Sequence, residues 1–413
     1  MLFGGIDVAK HNHEVCVLNE SGDSILQMPI ANSNQGFGKL MKAISRLITG
    51  PAEIVFCMEA TGHYWLPLFC HLADVGYRVS VVNPIQSDSL RNLYIRKSKT
   101  DKKDSFILAD LVRLGRARET RLSSETTVKL QNLSRMRFEF VTKVGVLKQQ
   151  VLGILDRIFP EYSKCFSDVF IRTSRELLKQ YPDPSELAEV DLTELSSFLS
   201  EQSRGRLGME RAEKIRTLAN NTFGINLAMD SFTLELRLLL EQIDFISEQI
   251  KVIEETIVQV MEELKRQDPQ TQLPSGCRHV LETIPGIGTT LAAAIIGEVG
   301  DIKRFPNART LVAFAGLDAT VKASGQFEGT RNRMSKRGSP VLRNSLWLAA
   351  VSARRHIPEM RAFYETKLSE GKHVNVATGA VARKLVHMIY TLWKTNRIYE
   401  PNHQWSPPGS IQG

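Results

Sequence analysis

The chain has 413 residues, of which 42% are hydrophobic and 24% charged, and its formal net charge is +8. This is the composition of a globular protein of two or three domains. The five cysteines are odd in number and widely spaced, which excludes a disulfide framework and a C-x-x-C zinc site. No uncharged apolar run approaches the roughly 20 residues that cross a bilayer, and the N-terminus has no secretory signal pattern. We therefore expect a cytoplasmic protein without a membrane partner, and the positive charge favours a polyanionic one.

The first 125 residues alternate strand and helix signals and predict an α/β domain. Three short apolar runs joined by polar turns indicate a meander, and strands and helices alternate after it. The predicted strands are Leu2–Val8, His13–Leu18, Ser24–Ile30, Ile54–Glu59 and Arg78–Val82, and the predicted helices are Gly36–Leu47, Tyr64–Val75 and Asp101–Leu114. This element order predicts a RuvC/ribonuclease-H-like fold for domain 1–125.

Four carboxylates occupy the ends of these elements. Asp7 lies in the first strand, Glu59 closes the fourth, and Asp101 and Asp104 follow Thr100, which is a plausible helix N-cap. Taken singly, each acid is most often a surface or capping residue, and Asp101 and Asp104 could simply complement the helix dipole. Their shared strand and helix-start context favours convergence on Mg²⁺, which prefers oxygen ligands and leaves positions open for phosphate.

Basic residues are concentrated in two segments. Residues 91–121 contain ten Lys or Arg against four acids, and residues 322–343 contain six against Glu328 alone. Such runs are usually solvated faces, but beside a carboxylate cluster and a Gly-rich loop they favour phosphate contacts. The residues predicted to contact nucleic acid are Lys97, Lys99, Lys102, Lys103, Arg331, Arg333, Lys336 and Arg337.

The middle of the chain, residues 126–275, is predicted to be helical and to contain a coiled coil. Apolar residues recur at a and d positions over four heptads, which indicates a coiled-coil seam. These residues are Leu236, Leu239, Ile243, Ile246, Ile250, Ile253, Ile257, Val260 and Leu264. Two interpretations are open: a dimerisation arm, or a long helix packed within its own subunit.

Residues 276–398 are predicted to form a third, mostly helical domain, with a loose tail at 399–413. The segment Pro285-Gly286-Ile287-Gly288 precedes a small-residue helix, Thr289–Val299, as in a helix-hairpin-helix turn. In such a turn, Gly286 and Gly288 would let the backbone approach a phosphate at the helix N-terminus. The alternative is a tight turn between helices without a ligand.

A Gly-rich basic loop at residues 321–339 contains Ser324, followed by Gly325. A serine beside glycine in such a loop could attack a phosphodiester, with neighbouring guanidinium groups stabilising the phosphorane. A loop serine is usually inert, and no histidine in this loop could act as its base. Ser335 is the other serine to be weighed, and it could instead cap the helix that starts near Ser339.

Several of these motifs, in this order, resemble the DEDD transposases of IS110-type insertion sequences, whose relatives include the Piv-like DNA invertases. The matching segments are Gly5-Ile6-Asp7-Val8-Ala9-Lys10, Glu59-Ala60-Thr61-Gly62, Lys99-Thr100-Asp101-Lys102-Lys103-Asp104, Pro285-Gly286-Ile287-Gly288, Ala315-Gly316-Leu317, Ser324-Gly325, Ser335-Lys336-Arg337-Gly338 and Leu342-Arg343. The chain departs from the family pattern at Ser105, where alanine is common, and at Ala319, where proline is common.

The resemblance implies a DNA transposase or site-specific recombinase with a RuvC-like domain and a transposase domain. It implies that Asp7, Glu59, Asp101 and Asp104 hold Mg²⁺ and that Ser324 forms a 5′-phosphoserine intermediate. It further implies donor and target DNA as substrates, an element-encoded guide RNA, and a homo-oligomer, a dimer that becomes a tetramer on DNA. One subunit's RuvC-like domain is then expected to meet another subunit's transposase domain.

Three other functions remain to be distinguished from this one. A RuvC-like, magnesium-dependent endonuclease would need only the four carboxylates, with water as the attacking group. A non-catalytic helix-hairpin-helix protein would bind nucleic acid and have no activity to lose. An actin-like ATPase also begins with an Asp-containing strand, but no Gly-rich phosphate loop follows here in the expected place.

Overall fold

The chain divides into two compact units, residues 1–122 and residues 123–413. The structure, a computed structural model, describes residues 1–60, 62–82, 84, 100–117, 119–120, 124–267, 273–318 and 334–401, with the backbone alone at 323–324 and 327–328. The second and third predicted domains both lie in the second unit. Their independence as domains therefore stays a prediction.

The first unit contains a five-stranded mixed sheet. Its strands are β1 (Leu2–Asp7), β2 (Asn12–Leu18), β3 (Ser24–Ala31), β4 (Ile54–Glu59) and β5 (Arg78–Val82), in the spatial order β3-β2-β1-β4-β5. The first three strands form an antiparallel meander, whereas β4 runs parallel to β1 and β5 parallel to β4. This is the ribonuclease-H-like arrangement that the element order predicted.

Helices cover both faces of this sheet. The helices α1 (Asn34–Ile44) and α2 (Trp65–Asp74) pack on one face, and α3 (Asp101–Arg113) packs on the other. Because side chains alternate along a strand, Ile6 of β1 faces the first pair of helices while Gly5 faces α3. A Cβ at Gly5 would lie 2.0 Å from the backbone oxygen of Ser105. The absence of a side chain at Gly5 thus lets α3 lie directly on β1.

The second unit is almost entirely helical. Its long helices are α4 (Glu125–Ile158) and α9 (Met229–Gln267), and between them lie α5 (Arg172–Gln180), α6 (Pro184–Glu189), α7 (Leu192–Ser203) and α8 (Met209–Asn220). Short turns separate these helices: α6 begins at Pro184, and residues 205–208 separate α7 from α8. No helix in the described part of the chain has the length and hydropathy that crossing a bilayer requires.

The heptad seam of α9 packs against α4 of the same chain. Ile243 belongs to a core cluster that also contains Val151 of α4, and Ile257 belongs to a second cluster that contains Leu130 of α4. The prediction that this seam is a dimerisation arm is therefore corrected to the alternative, a long helix packed within its own subunit. Heptad spacing indicates that a partner helix exists, but it does not say which chain supplies that helix.

A second apolar stripe on α9 is exposed. Leu238, Phe245 and Val252 recur at seven-residue intervals, and the exposed fraction of Phe245 is 65%. In the heptad frame these are c positions, which lie on the outer face of the helix, away from the buried a/d seam. The outer surface of α9 is therefore more apolar than the seam prediction implied.

The replacement Ile257→Lys is expected to lower the free energy of unfolding by about 4 kcal/mol, because it buries an unpaired charge. Ile257 is 0% exposed within the core of its own chain. Chemical denaturation measures the loss. Gln242→Lys is the matched control on the same helix, and its stability should stay close to that of the wild type because Gln242 is exposed and lies outside the core. Unchanged stability of Ile257→Lys with a smaller particle in sedimentation would instead return the seam to a subunit interface.

The C-terminal part of the second unit packs further helices around one hydrophobic core. These helices are α10 (Thr289–Val299), α11 (Ala308–Phe314), α12 (Pro340–His356), α13 (Pro358–Ser369) and α14 (Val374–Thr395). A hairpin of two-residue strands, β6 (Ala323–Ser324) and β7 (Phe327–Glu328), lies between α11 and α12. Tyr399, which falls in the predicted tail, donates its backbone N–H to Thr283 Oγ1 at 2.8 Å and packs against this core.

The predicted helix-hairpin-helix turn is present only in part. Helix α10 has the predicted bounds, but the element before the Pro-Gly turn is a four-residue 3₁₀ helix, Val280–Thr283. Gly286 has φ +95°, and a Cβ there would lie 2.6 Å from Ser352 of α12. Internal packing thus accounts for Gly286. Gly288, at the N-cap of α10, is exposed and has open space around it, so the predicted phosphate contact rests on Gly288.

Candidate functional site

Three acidic residues occupy one level of the sheet in the first unit. Asp7 ends β1, and the antiparallel register pairs it directly with Glu14 of β2. The parallel register pairs Ile6 with Met58, so Glu59 is the next position beside Asp7 on β4. Alternation along the strands places all three on the face that α3 covers. The sequence analysis did not include Glu14 among the candidate acids. The short turn between β1 and β2 fixes the pairing of residues 7 and 14, and this pairing is the signal that would have predicted its position.

Helix α3 brings its first turn to the same end of the sheet. Ala109, in its second half, packs with Phe3 near the start of β1, whereas Ser105 reaches the level of Glu14 through Gln27. The helix therefore runs antiparallel to β1, and its N-terminus lies toward Asp7. Asp104 is buried, with 7% exposure, and Asp101 is exposed. Thr100 is the N-cap residue as predicted, although its side chain makes no capping hydrogen bond.

A partly buried hydrogen-bond network joins this helix turn to the sheet. Gln27 of β3 donates through Nε2 to Glu14 Oε1 at 2.7 Å and to Ser105 Oγ at 3.3 Å. Ser105 Oγ in turn donates to the Lys102 carbonyl at 3.0 Å. Serine replaces the alanine that is common at position 105 because its hydroxyl accepts from Gln27 and donates to the Lys102 carbonyl. The network fixes the turn that carries Asp101 and Asp104 relative to β2 and β3.

The four predicted acids suit a hard divalent cation by ligand type, because all four supply carboxylate oxygens. Asp7 and Glu59 share a sheet edge, and the first turn of α3 carries the other two. No three acidic, histidine or cysteine side chains in the described part of the chain are grouped closely enough to hold a metal ion. To bind one cation, the side chains would have to turn toward a common point.

The thiols near these acids are not nucleophiles. Cys57 of β4 faces α3, and burial together with the neighbouring Glu59 raises the pKa of its thiol to about 12. Burial also raises the pKa of the Cys16 thiol on β2. All five cysteines are free, as the sequence predicted. A raised pKa lowers the thiolate fraction, so Cys57 and Cys16 are poor candidates for a nucleophile.

Ser324 lies in β6, where its backbone pairs with Phe327 across the short hairpin. Most of the loop around it, including Gly325, Arg331 and Arg333, lies outside the described residues, as does the side chain of Ser324. The sequence predicted a loop at this serine, and the structure places its backbone in a short hairpin within that loop. Its chemistry stays a prediction.

The two stems of this loop are fixed to each other. Ser335 donates its hydroxyl to Asp318 Oδ1, and its backbone N–H donates to the Asp318 carbonyl at 2.9 Å. Gly316, at φ +67°, is so close to the other stem that a Cβ would lie 1.9 Å from the Arg337 carbonyl. Ser339 caps α12 by accepting from Leu342 N–H at 3.2 Å. Ser335 therefore closes the base of the loop, which is a structural role.

The predicted basic contacts are described only in part. Lys102 and Lys103 are exposed on the first turn of α3, and Lys336 and Arg337 are exposed on the second loop stem. Lys97 and Lys99 lie outside the described residues. The cations that can be placed thus lie in the same turn as the acids and at the base of the Ser324 hairpin.

Two family models match this chain. One, described as a transposase of the DEDD IS110 type, matches residues 4–160, and the other, the transposase IS116/IS110/IS902 family, matches residues 278–365. Together they cover the strand-end acids, the first turn of α3 and the loop of Ser324. The part of the chain between the two matches, residues 161–277, contains α5 to α8 and all of α9.

Curated relatives extend over the whole chain. The mini-circle putative transposase for IS117 of Streptomyces coelicolor is 22% identical over 98% of this chain and 97% of its own length. A pilin gene-inverting protein of Moraxella lacunata is 23% identical over 96% and 97%. The transposase for insertion sequence element IS1111A of Coxiella burnetii is 32% identical over 30% of this chain and 34% of its own length.

Among solved structures, T. thermophilus RuvC in complex with Holliday junction substrate matches 29% of this chain and 99% of its own, at 13% identity and a TM-score of 0.23. That score is too low to support an argument, and the fold of the first unit rests on its own strand order. The family models and the full-length relatives carry the assignment: the chain belongs to the IS110 family of insertion-sequence transposases.

Proposed function

We propose that this transposase cuts and rejoins donor and target DNA through a 5′-phosphoserine intermediate, under the guidance of an RNA encoded by its element. The observation that carries the proposal is the placement of Asp7 and Glu59 on adjacent parallel strands, on the face to which α3 brings Asp101 and Asp104. Such an edge of carboxylates suits phosphodiester chemistry.

The four acids are proposed to hold Mg²⁺, and Asp7, Glu59, Asp101 and Asp104 are then the catalytic carboxylates of the first unit. A bound magnesium ion would supply charge neutralisation at the scissile phosphate. The chain itself supplies the rigid part of this arrangement. β1 and β4 fix Asp7 and Glu59, and the Gln27–Ser105 network fixes the first turn of α3.

Ser324 is proposed as the nucleophile. Its Oγ attacks the phosphorus and the bond to the 3′ oxygen breaks. The upstream segment leaves with a free 3′-hydroxyl that takes up the serine proton, while the 5′-phosphate of the downstream segment stays on the serine. A 3′-hydroxyl of another strand then attacks the phosphoserine and restores a phosphodiester. The bond energy is conserved in the adduct, so rejoining needs no ATP. Arg331, Arg333, Lys336 and Arg337 are proposed to bind the phosphate backbone of this DNA, as are Lys97, Lys99, Lys102 and Lys103 in the first unit.

The proposed assembly is a homo-oligomer, a dimer that becomes a tetramer on DNA, acting in the cytoplasm. The exposed stripe of Leu238, Phe245 and Val252 on α9 supports a dimer contact on that surface, because the heptad seam is already used within the chain. Gly288 is proposed to accept a phosphate at the N-terminus of α10. Recognition of a particular DNA site is proposed to need the guide RNA, since no base-reading helix of a known class is evident in the sequence.

A strand-transfer experiment tests this function. Wild-type protein with the transcribed non-coding flank of its element, donor duplex and target duplex should give rejoined strands, and omission of the RNA should remove them. Binding should fall steeply as salt rises, because Lys and Arg contacts release counterions. A scrambled RNA of equal length is the control. Cleaved ends without rejoined strands would favour the hydrolytic RuvC-like endonuclease, and tight sequence-specific duplex binding by RNA-free protein would contradict RNA guidance.

A further inference from the structure

A cavity of about 840 Å³ opens between α12 and α14 in the second unit. Its size falls within the roughly 300–1,000 Å³ that is usual for sites of small organic ligands. The first two turns of both helices line it, through Arg343 and Asn344 on α12 and Asn375 and Gly379 on α14. Two helix N-termini therefore border the same space, and their positive dipole ends favour an anion nearby.

Three cations reinforce this preference. Lys336, Arg343 and Arg383 line the cavity, against the single carboxylate of Asp318. Arg343 donates to the Lys336 carbonyl at 3.2 Å, and Arg383 donates to the carbonyl of Gly379 on its own helix at 3.5 Å. Within the described residues none of these three cations forms an ion pair, and Asp318 already accepts the Ser335 hydroxyl. Their charge is thus available to a phosphate.

The cavity also has an aromatic wall. The half-buried indole of Trp347 lines it, and the Cζ3 atom of that ring would lie 3.8 Å from a Cβ at Gly379. Gly379 lies inside a 22-residue helix, where glycine costs about 1 kcal/mol relative to alanine. A methyl group would fit there at ordinary van der Waals distances, so the fold does not require glycine at this position. The missing side chain keeps open the space beside the indole ring.

We propose that this cavity binds one unpaired nucleotide of a nucleic-acid strand, with its base stacked on Trp347 and its phosphate on Arg343, Arg383 and Lys336. The amides of Asn344 and Asn375 lie at its rim, where they can hydrogen-bond the edge of the base. Stacking on an aromatic ring requires a base that has left its own helix, which points to a single-stranded or extruded nucleotide. The inference rests on the proposed function only in that the protein binds nucleic acid.

The test uses the full-length protein and a ten-nucleotide single strand with one 2-aminopurine, made as DNA and as RNA. Stacking on Trp347 should quench the fluorescence of 2-aminopurine in the wild-type complex, and an abasic residue at that position should weaken binding by about ten-fold or more. Trp347→Leu and Gly379→Leu should remove both the quenching and the abasic penalty. A stronger signal from the DNA strand or the RNA strand identifies which one supplies the nucleotide.

Two control variants separate loss of the nucleotide site from misfolding and from a general loss of positive charge. Gly379→Ala should fold like the wild type, since its methyl group meets neighbours only at ordinary van der Waals distances, and it should reduce the abasic penalty less than Gly379→Leu does. Lys384→Gln is the charge control for Arg383→Gln, because Lys384 is the next residue on α14 and lies over the Phe363 ring instead of lining the cavity. Arg383→Gln should weaken the strand several-fold more than Lys384→Gln. Equal binding of abasic and intact strands by wild type, or unchanged quenching in Trp347→Leu, would overturn the nucleotide site while leaving the transposase proposal standing. Lack of binding to any strand would count against both.

Discussion

Ser324→Ala is expected to abolish the covalent protein–DNA adduct and to lower recombination by about 10⁴-fold or more, which is the scale on which loss of a nucleophile is felt. A suicide substrate, nicked so that the leaving strand diffuses away, traps the wild-type adduct. Mass spectrometry of the digested complex should then place the added nucleotide mass on Ser324. Binding of RNA and DNA should persist in the variant, because the hydroxyl contributes to chemistry and not to the phosphate contacts of the neighbouring cations.

Ser335→Ala is the matched control for this experiment. Ser335 lies in the same loop, but its hydroxyl donates to Asp318 and holds the two stems of the loop together. Its loss should loosen the hairpin and reduce adduct yield without eliminating it. If wild type cuts DNA with no adduct and Ser324→Ala cuts equally well, then water is the attacking group. The hydrolytic RuvC-like endonuclease would in that case replace the recombinase.

Asp101→Asn is expected to lower strand cleavage by about 10³-fold, because losing one ligand misplaces the cation that neutralises the scissile phosphate. Asp101 is exposed on the first turn of α3, so the replacement should cost only about 0.5 kcal/mol of stability through the helix dipole. Cleavage is measured across a magnesium titration, and metal affinity is measured separately by calorimetry. Both should fall, while RNA binding and the thermal unfolding midpoint stay near their wild-type values.

Asp74→Asn provides the control for the metal experiment. It makes the same change in the same unit, at an exposed residue at the end of α2, and should leave both cleavage and metal affinity unchanged. Full recombination activity in Asp101→Asn would remove this residue from the catalytic set. Normal metal affinity with lost cleavage would instead give Asp101 a role in positioning DNA and not in binding the cation.

Local patterns in the sequence were sufficient for the elements of the first unit. The spacing of apolar residues gave β4 and β5 with the same bounds as the structure, and it gave β1, β2 and β3 within one residue. These predictions were confirmed because apolar runs of four to eight residues between polar turns have few alternatives to a strand. The same reasoning placed Asp7, Glu59, Asp101 and Asp104 at element ends, which is where a catalytic carboxylate is useful.

The tertiary structure decided the rest, because contacts between residues distant in sequence leave no periodic signal. Glu14 joins the acids only through the register that pairs it with Asp7, and Ser105 finds its partner in Gln27, 78 residues away. The heptads of α9 determined that the helix needs an apolar partner, but only packing showed that this partner is α4 of the same chain. Gly286 likewise looked like a phosphate contact until α12 was found against it. Local sequence patterns were thus enough to predict the strands, the candidate catalytic residues and the family resemblance. Each long-range partner follows only from the fold, since burial depends on which surfaces meet in space.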